Sequence, residues 1–278
     1  MKFSKWNIRR SDLIVGIILC FLLITGLIVF FVGRDRDQPL TMLQLSINPY
    51  EESSFYQEGE FIRCTQAETK VGVDVSSHQG EIDWNAVKEA GVDYAMIRVG
   101  WRGYTEGGLN VDTSALQNLQ GATEAGLPVG VYLYSQAITV QEAKEEAKLV
   151  LDVIKDWNIT YPVVYDWEWI GGDARTVNVD SRTVTDCTKA FCNAIQDAGY
   201  TPAFYFNQDL ASRLFCLEEL QVYDFWLAQY TEAMTFPYNV EMWQYSCTAA
   251  LPGIEGEVDL NLSFKDYETP IEVPSNPK

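Results

Sequence analysis

An irregular β/α barrel of eight strands, with helices short or missing in its last third, is the fold that residues 71–268 predict. Strand and helix signals alternate along this stretch, which implies a parallel sheet. Eight strand signals can be counted, the number that closes a barrel. The last two gaps, 231–241 and 247–256, are short and hold Pro and Gly, so full helices do not fit there.

The elements follow in order. Residues 71–77 set Val against Gly72, Asp74 and Ser76, a strand alternation. Residues 83–90 read as a short helix stopped by Gly91. A strand at 94–101 leads into a Gly-rich loop at 103–108, then a helix at 112–125 stopped by Gly126 and a strand at 128–135. Thr139-Val140-Gln141-Glu142 is a capping box opening a helix to about Trp157. Val184, Cys187, Phe191, Ala194, Ile195 and Ala198 mark one face of a later helix, closed by Gly199. Strands at 203–207, 225–230, 242–246 and 257–261 complete the set.

The fourth strand, 161–169, organises the rest. Its β-branched and aromatic residues open on a Pro, where no ladder donor is needed. Alternation puts Val164, Asp166 and Glu168 on one side and Val163, Tyr165, Trp167 and Trp169 on the other. The two carboxylates are roughly 6.6 Å apart along the backbone. Acids at the end of a buried strand are costly unless something uses them, the bland alternative being solvated or N-capping acids.

Ahead of the barrel, residues 13–33 read as a transmembrane anchor, the apolar run 13–32 being long enough to span a bilayer. Lys2, Lys5, Arg9 and Arg10 keep residues 1–12 in the cytoplasm and send the rest outside. A cleavable signal peptide is the competing reading, but Phe30-Phe31-Val32-Gly33-Arg34 offers no small-x-small cleavage site. Residues 34–70 lack a sustained period and are expected to form an extracellular stalk, docked in part through Phe55, Tyr56, Phe61 and Ile62. Residues 269–278 form a tail.

After Arg36 the chain carries 14 Lys+Arg against 37 Asp+Glu, a balance of −23. That argues against nucleic acid and against adhesion to anionic surfaces. Cys20 lies in the expected membrane span. Of the other five, Cys64, Cys187, Cys192, Cys216 and Cys247, the spacing of Cys187 and Cys192 fits no zinc pattern, and the five read as buried free thiols with any pairing left open.

Barrels of this kind gather their working groups where strands end and loops begin. Those ends collect Asp74 from the first strand, Asp166 and Glu168 from the fourth and Asp259 from the eighth. First and eighth strands adjoin in a closed barrel, so Asp74 and Asp259 should meet. Clustered carboxylates repel, and at least one should keep its proton near neutral pH. A protonated acid beside an ionised one is the pair that glycosidic cleavage uses. A hard-cation site built from the four carboxylates is the alternative chemistry. His78 is the only His, and no nucleophile-and-orienter pattern accompanies it beside its turn. Aromatic residues near the same strand ends, Trp101, Tyr132, Tyr134, Tyr205, Trp226, Tyr230 and Tyr245, suit sugar rings as well as core packing.

A series of motifs then adds a resemblance. Gly72-Val73-Asp74-Val75-Ser76-Ser77-His78-Gln79-Gly80, Asp83-Trp84, Ile97-Arg98-Val99-Gly100, Val129-Gly130-Val131-Tyr132, Asp166-Trp167-Glu168, Trp226-Leu227-Ala228-Gln229-Tyr230, Trp243-Gln244-Tyr245 and Val258-Asp259-Leu260-Asn261 stand in order over about seven-tenths of the chain. Together they resemble the lysozymes of glycoside hydrolase family 25. The resemblance implies an irregular β/α barrel that hydrolyses the β-1,4 bond between N-acetylmuramic acid and N-acetylglucosamine in peptidoglycan glycan strands. It implies Glu168 as general acid/base and Asp166 as the group steering the substrate's own N-acetyl nucleophile, with retention. Asp74 and Asp259 would tune that network, and Arg98, Tyr132, Tyr205, Trp226, Gln229 and Gln244 would line the sugar groove. No metal or cofactor is implied. No wall-binding repeats accompany the barrel, so the expected anchor would hold the enzyme at a bacterial cell membrane, against its own wall. Two other readings stay open: a surface module that only grips glycan, and a hydrolase of another N-acetylated glycan such as chitin.

Overall fold

Barrel closure rests on the strand Lys70–Val75, which pairs on both of its edges. The computed structural model describes residues 44–268. Its strands are β1 (Phe55–Glu58), β2 (Phe61–Cys64), β3 (Lys70–Val75), β4 (Tyr94–Arg102), β5 (Leu109–Val111), β6 (Val129–Ser135), β7 (Val163–Trp167), β8 (Pro202–Asn207), β9 (Asp224–Ala228), β10 (Met242–Ala249) and β11 (Val258–Ser263). Eight of these, β3, β4 and β6 through β11, form the barrel, with β3 bonded to β4 on one side and β11 on the other.

The parallel sheet expected from the alternation holds for seven strands. The eighth, β11, is antiparallel to both β10 and β3. Residues 250–257 connect it to β10, too short a stretch for the dozen or more residues of a parallel crossover, so the chain turns straight back. The loop at 103–108 likewise ends in an unexpected short strand, β5, antiparallel to the end of β4.

Four helices surround the early strands: α1 (Trp84–Glu89), α2 (Ala115–Glu124), α3 (Val140–Ile154) and α4 (Ser181–Asp197). Their starts are written in short polar side chains. Asp83 accepts from the backbone N–H groups of Asn85 and Ala86, each at 3.1 Å, and Asp180 from that of Thr183 at 2.8 Å. The capping box at α3 forms by half. Thr139 accepts from the N–H of Glu142, but the Glu142 carboxylate reaches back one residue further, to the N–H of Ile138. Among the described residues after β8 only α5 (Gln208–Arg213) and α6 (Leu217–Leu220) remain, both short, as the final third of the sequence predicts.

The outer faces of β10 and β11 therefore have no helix to cover them, and the β1–β2 hairpin does so instead. Phe55 packs edge-on against Trp243 with ring centroids 5.2 Å apart, and the Ile62 N–H donates to the Tyr245 hydroxyl. Tyr50 stacks on Phe264 at 4.6 Å, and Ile47 bridges to Tyr238. Residues 45–64, placed in the stalk by their lack of period, thus belong to the packed body. Phe55, Phe61 and Ile62 are buried as the docking expectation had it, whereas Tyr56 is exposed. Burying each phenyl ring stabilises by about 2–3 kcal/mol. Gly59 takes the positive φ (61°) that opens the two-residue turn.

Inside the barrel, Tyr94, Met96, Tyr161, Val164, Ala203, Trp226 and Met242 pack as a plug separate from the outer core. Tyr94 and Tyr161 stack at 4.1 Å and nearly parallel, forming the floor. Gly72 is required beside them, because a Cβ there would come within 2.2 Å of the Tyr94 ring.

Among the described residues, no helix is long and apolar enough to cross a membrane. The anchor expected at 13–33, the residues before it and the tail at 269–278 lie outside the described residues. The five cysteines expected to be unpaired are free, Cys64, Cys187 and Cys192 buried but Cys216 and Cys247 partly exposed.

Candidate active site

Above the Trp226 plug the barrel opens into a cavity of about 230 Å3. The alternation read along residues 161–169 is what aims acids into it. Val163, Tyr165 and Trp167 face the outer core, while Val164 faces the plug and Asp166 and Glu168 line the cavity. Asp74, next to last in β3, and Asp259, second in β11, are direct partners across the antiparallel pair and line the same cavity.

Amide groups hold these acids. The Gln244 side chain, from β10, donates to Asp74 at 2.8 Å and to Asp259 at 3.2 Å. Asn261, two residues along β11 from Asp259, donates to the same Asp74 oxygen at 2.8 Å. The Gln244 amide oxygen accepts from the hydroxyls of Tyr205 (2.8 Å) and Tyr230 (3.0 Å), and the Trp226 indole N–H donates to Asn261 at 2.8 Å. Each amide is thereby fixed in orientation, its NH2 group turned to carboxylates and its oxygen to donors.

All four carboxyls are pushed toward their protonated forms. Burial raises Asp74, against the pull of the Asn261 and Gln244 amides. Burial raises Asp166 well above the usual carboxylate range, with the charges of Glu168 and Asp74 adding to it. Burial raises Glu168 as well, assisted by the Asp74 charge. Asp259 is pushed up to about 8 by burial and then by Asp74. Asp74 and Asp259, opposite each other across the strand pair, and Asp166 and Glu168, two residues apart on one strand face, each titrate as neighbours that influence one another. Asp166 Oδ1 is buried and has no hydrogen-bond partner within the protein.

Arg98 lines one wall. Its Nε donates to Asp112 at 2.8 Å, Nη2 donates to Ser77, and the guanidinium lies 5.4 Å from the Trp101 ring centroid. Tyr132, Tyr205, Trp226 and Gln244 also line the cavity, so nine of the ten residues singled out from the sequence converge there. Trp226 is almost wholly buried, with its ring edge-on to Tyr132 and Tyr205, and serves as the cavity's base. Gln229 is the exception. Its side chain closes the following loop instead, accepting from the Thr235 N–H and donating to the Thr235 hydroxyl, and it does not line the cavity. His78, read as structural, is exposed at the cavity rim. Among the described residues, no group of three or more His, Cys, Asp or Glu side chains has the arrangement of a metal site.

The family model for glycosyl hydrolases family 25 matches residues 73–254, well over half of the chain, and takes in Asp74, Asp166 and Glu168. The chain belongs to glycosyl hydrolase family 25. It is 26% identical to the autolytic lysozyme of Clostridium acetobutylicum over 196 residues, covering 68% of this chain and 54% of that one. It is 28% identical to lysozyme M1 of Streptomyces globisporus over 203 residues, covering 68% and 66%. The solved structure of the modular autolysin LytC from Streptococcus pneumoniae, in complex with a synthetic peptidoglycan ligand, superposes with a TM-score of 0.65. Its sequence identity is 26%, over 79% of this chain and 52% of that one. The match thus spans between about half and two-thirds of these relatives' own length.

Asp259 and Asn261 fall just past the family 25 match and join the site through strand pairing. Asn261 went unassigned in the sequence although alternation already put it on the face of Asp259. Asp112 was missed for a different reason. It comes from the loop after β5, and nothing local ties it to Arg98.

Proposed function

We propose that this chain is an N-acetylmuramidase, cleaving the β-1,4 bond between N-acetylmuramic acid and N-acetylglucosamine in peptidoglycan. One observation carries the reading: Asp74, Asp166, Glu168 and Asp259 line a single cavity at the barrel mouth, Asp166 and Glu168 from one strand face and Asp74 opposite Asp259. Family 25 membership and the lysozyme names of two relatives support the choice of substrate.

In this reading Glu168, held protonated by burial, gives its proton to the glycosidic oxygen as the bond to the anomeric carbon breaks. Asp166, on the same strand face as Glu168 and lining the same cavity, takes the part that the family 25 resemblance implies for it, steering the substrate instead of attacking it. The nucleophile is then the substrate's own acetamido oxygen. It closes onto the anomeric carbon while the Asp166 carboxyl, at the cavity wall, holds the acetamido N–H. Glu168, now ionised, draws a proton from water as that water opens the ring intermediate, giving net retention. Asp74 and Asp259 keep negative charge near this centre, and the amides of Gln244 and Asn261 hold them in place.

The apolar run at 13–32 with its basic N-terminal flank supports an uncleaved single-pass anchor in a bacterial cell membrane. The barrel would then lie outside and remodel the cell's own wall. Digestion of purified wall by the protein should release new reducing sugar ends, and Glu168→Gln should abolish that release. Intact glycan after incubation with the unmutated protein would sink the reading.

A further inference from the structure

The β6–β7 ladder stops one residue short of the general acid. Its last register pair is Ser135 with Trp167, so the Glu168 carbonyl has no ladder partner. A side chain takes over that role. Gln136, the residue after β6, is completely buried. Its Nε2 donates to the Glu168 carbonyl at 2.7 Å and to the Ser135 carbonyl at 2.9 Å. Its Oε1 accepts from the Thr176 hydroxyl at 3.1 Å, and that hydroxyl accepts in turn from the Ile170 N–H. Both acceptors on the Nε2 side are carbonyls, so the amide fits in one orientation only. Thr176 is also completely buried. The chain therefore leaves β7 clamped on both sides of Trp169, with the backbone of residue 168 and that of residue 170 tied to the end of β6. A second tie lies alongside, where the Trp167 indole N–H donates to the Ala137 carbonyl at 2.9 Å.

We infer that Gln136, backed by Thr176, is a positioning residue for this reaction: it fixes the backbone of Glu168 so that the carboxyl meets both Asp166 and the glycosidic oxygen. The inference rests on Glu168 being the proton donor. Gln136 does not touch the cavity and takes no part in proton transfer. Its effect is on where the donor stands, and errors of an ångström in such placement cost about a hundredfold in rate.

The experiment compares wild type, Gln136→Met, Gln136→Glu and Thr176→Val in the full chain on purified wall, with kcat, KM and thermal midpoint measured from pH 4.5 to 8. Gln136→Met keeps the shape and removes the hydrogen bonds, and kcat should fall roughly ten- to hundredfold with KM within about twofold. Gln136→Glu separates positioning from bulk. An ionised carboxylate cannot donate to the Glu168 carbonyl and a protonated one can, so its kcat relative to wild type should climb as pH falls. A merely structural role would lower the thermal midpoint without that recovery. Should Gln136→Met fail to fold, Thr176→Val carries the test, with a several-fold loss of kcat at an unchanged midpoint expected. Folded variants with wild-type kcat, or a Gln136→Glu ratio flat across pH, would overturn the inference. Wild-type protein that leaves wall glycan intact would instead overturn the muramidase reading on which it stands.

Discussion

Asp74 and Asp259 sit directly opposite each other across the antiparallel pair of β3 and β11, and one Gln244 amide donates to both. The direction of β11 is what makes this possible. Asp259 is only the second residue of its strand, and in a parallel strand it would have entered at the barrel floor. Because β11 runs backward, its beginning lies at the mouth, level with the end of β3.

The pair sets the pH response of the general acid. Burial raises Glu168, against the pull of a hydrogen bond with Asp166, and the Asp74 charge adds to the rise. Its acid form is the one that donates, so kcat/KM should fall as pH climbs through its raised value. Replacing Asp74 by Asn removes that charge and should move the descending limb to lower pH. A pH–rate profile on soluble glycan fragments reads both effects, and a limb that stays in place in the Asp74→Asn protein would contradict the coupling.

Stability should follow pH in the same direction. Asp259 titrates at about 8 in the folded protein and near 3.9 unfolded, so the folded state holds an extra proton between those values. A raised carboxyl contributes stability that is complete below the unfolded value and lost as pH rises through the folded one. Asp74, Asp166 and Glu168 act in the same sense. The thermal midpoint should therefore decline from pH 5 toward pH 9. Asp259→Asn should flatten that decline and melt higher than wild type at pH 8, whatever it does to activity.

The N-terminal hairpin should prove part of the folding unit. Without residues up to Lys70, the outer faces of Trp243, Tyr245 and Phe264 would meet water. A chain starting at Val71 should aggregate or lose its cooperative transition, while one starting at Leu45 should not. The single change Phe55→Ala should cost about 3–4 kcal/mol in denaturant unfolding. Equal stability of the two truncations would show that the hairpin is only a passenger.

Much of this arrangement is legible in the sequence because it depends on local period. Alternation in β7 separates Asp166 and Glu168 from Trp167, and eight strand signals give the barrel. The same rule could have excluded Gln229, which stands an odd number of residues from the inward Trp226, while the even-numbered Tyr230 reaches Gln244. What stayed hidden depends on contacts between distant segments. Residues 45–64 carry no period of their own, and their apolar side chains find a use only once β10 and β11 are known to lack a helix. The pairing of Asp112 with Arg98, and of Gln136 with a carbonyl 32 residues on, is likewise set by strand order.

The stacked rings of Tyr94 and Tyr161 shut one end of the barrel. A polymer therefore cannot be threaded through it and must lie across the opening, arriving and departing on the same side.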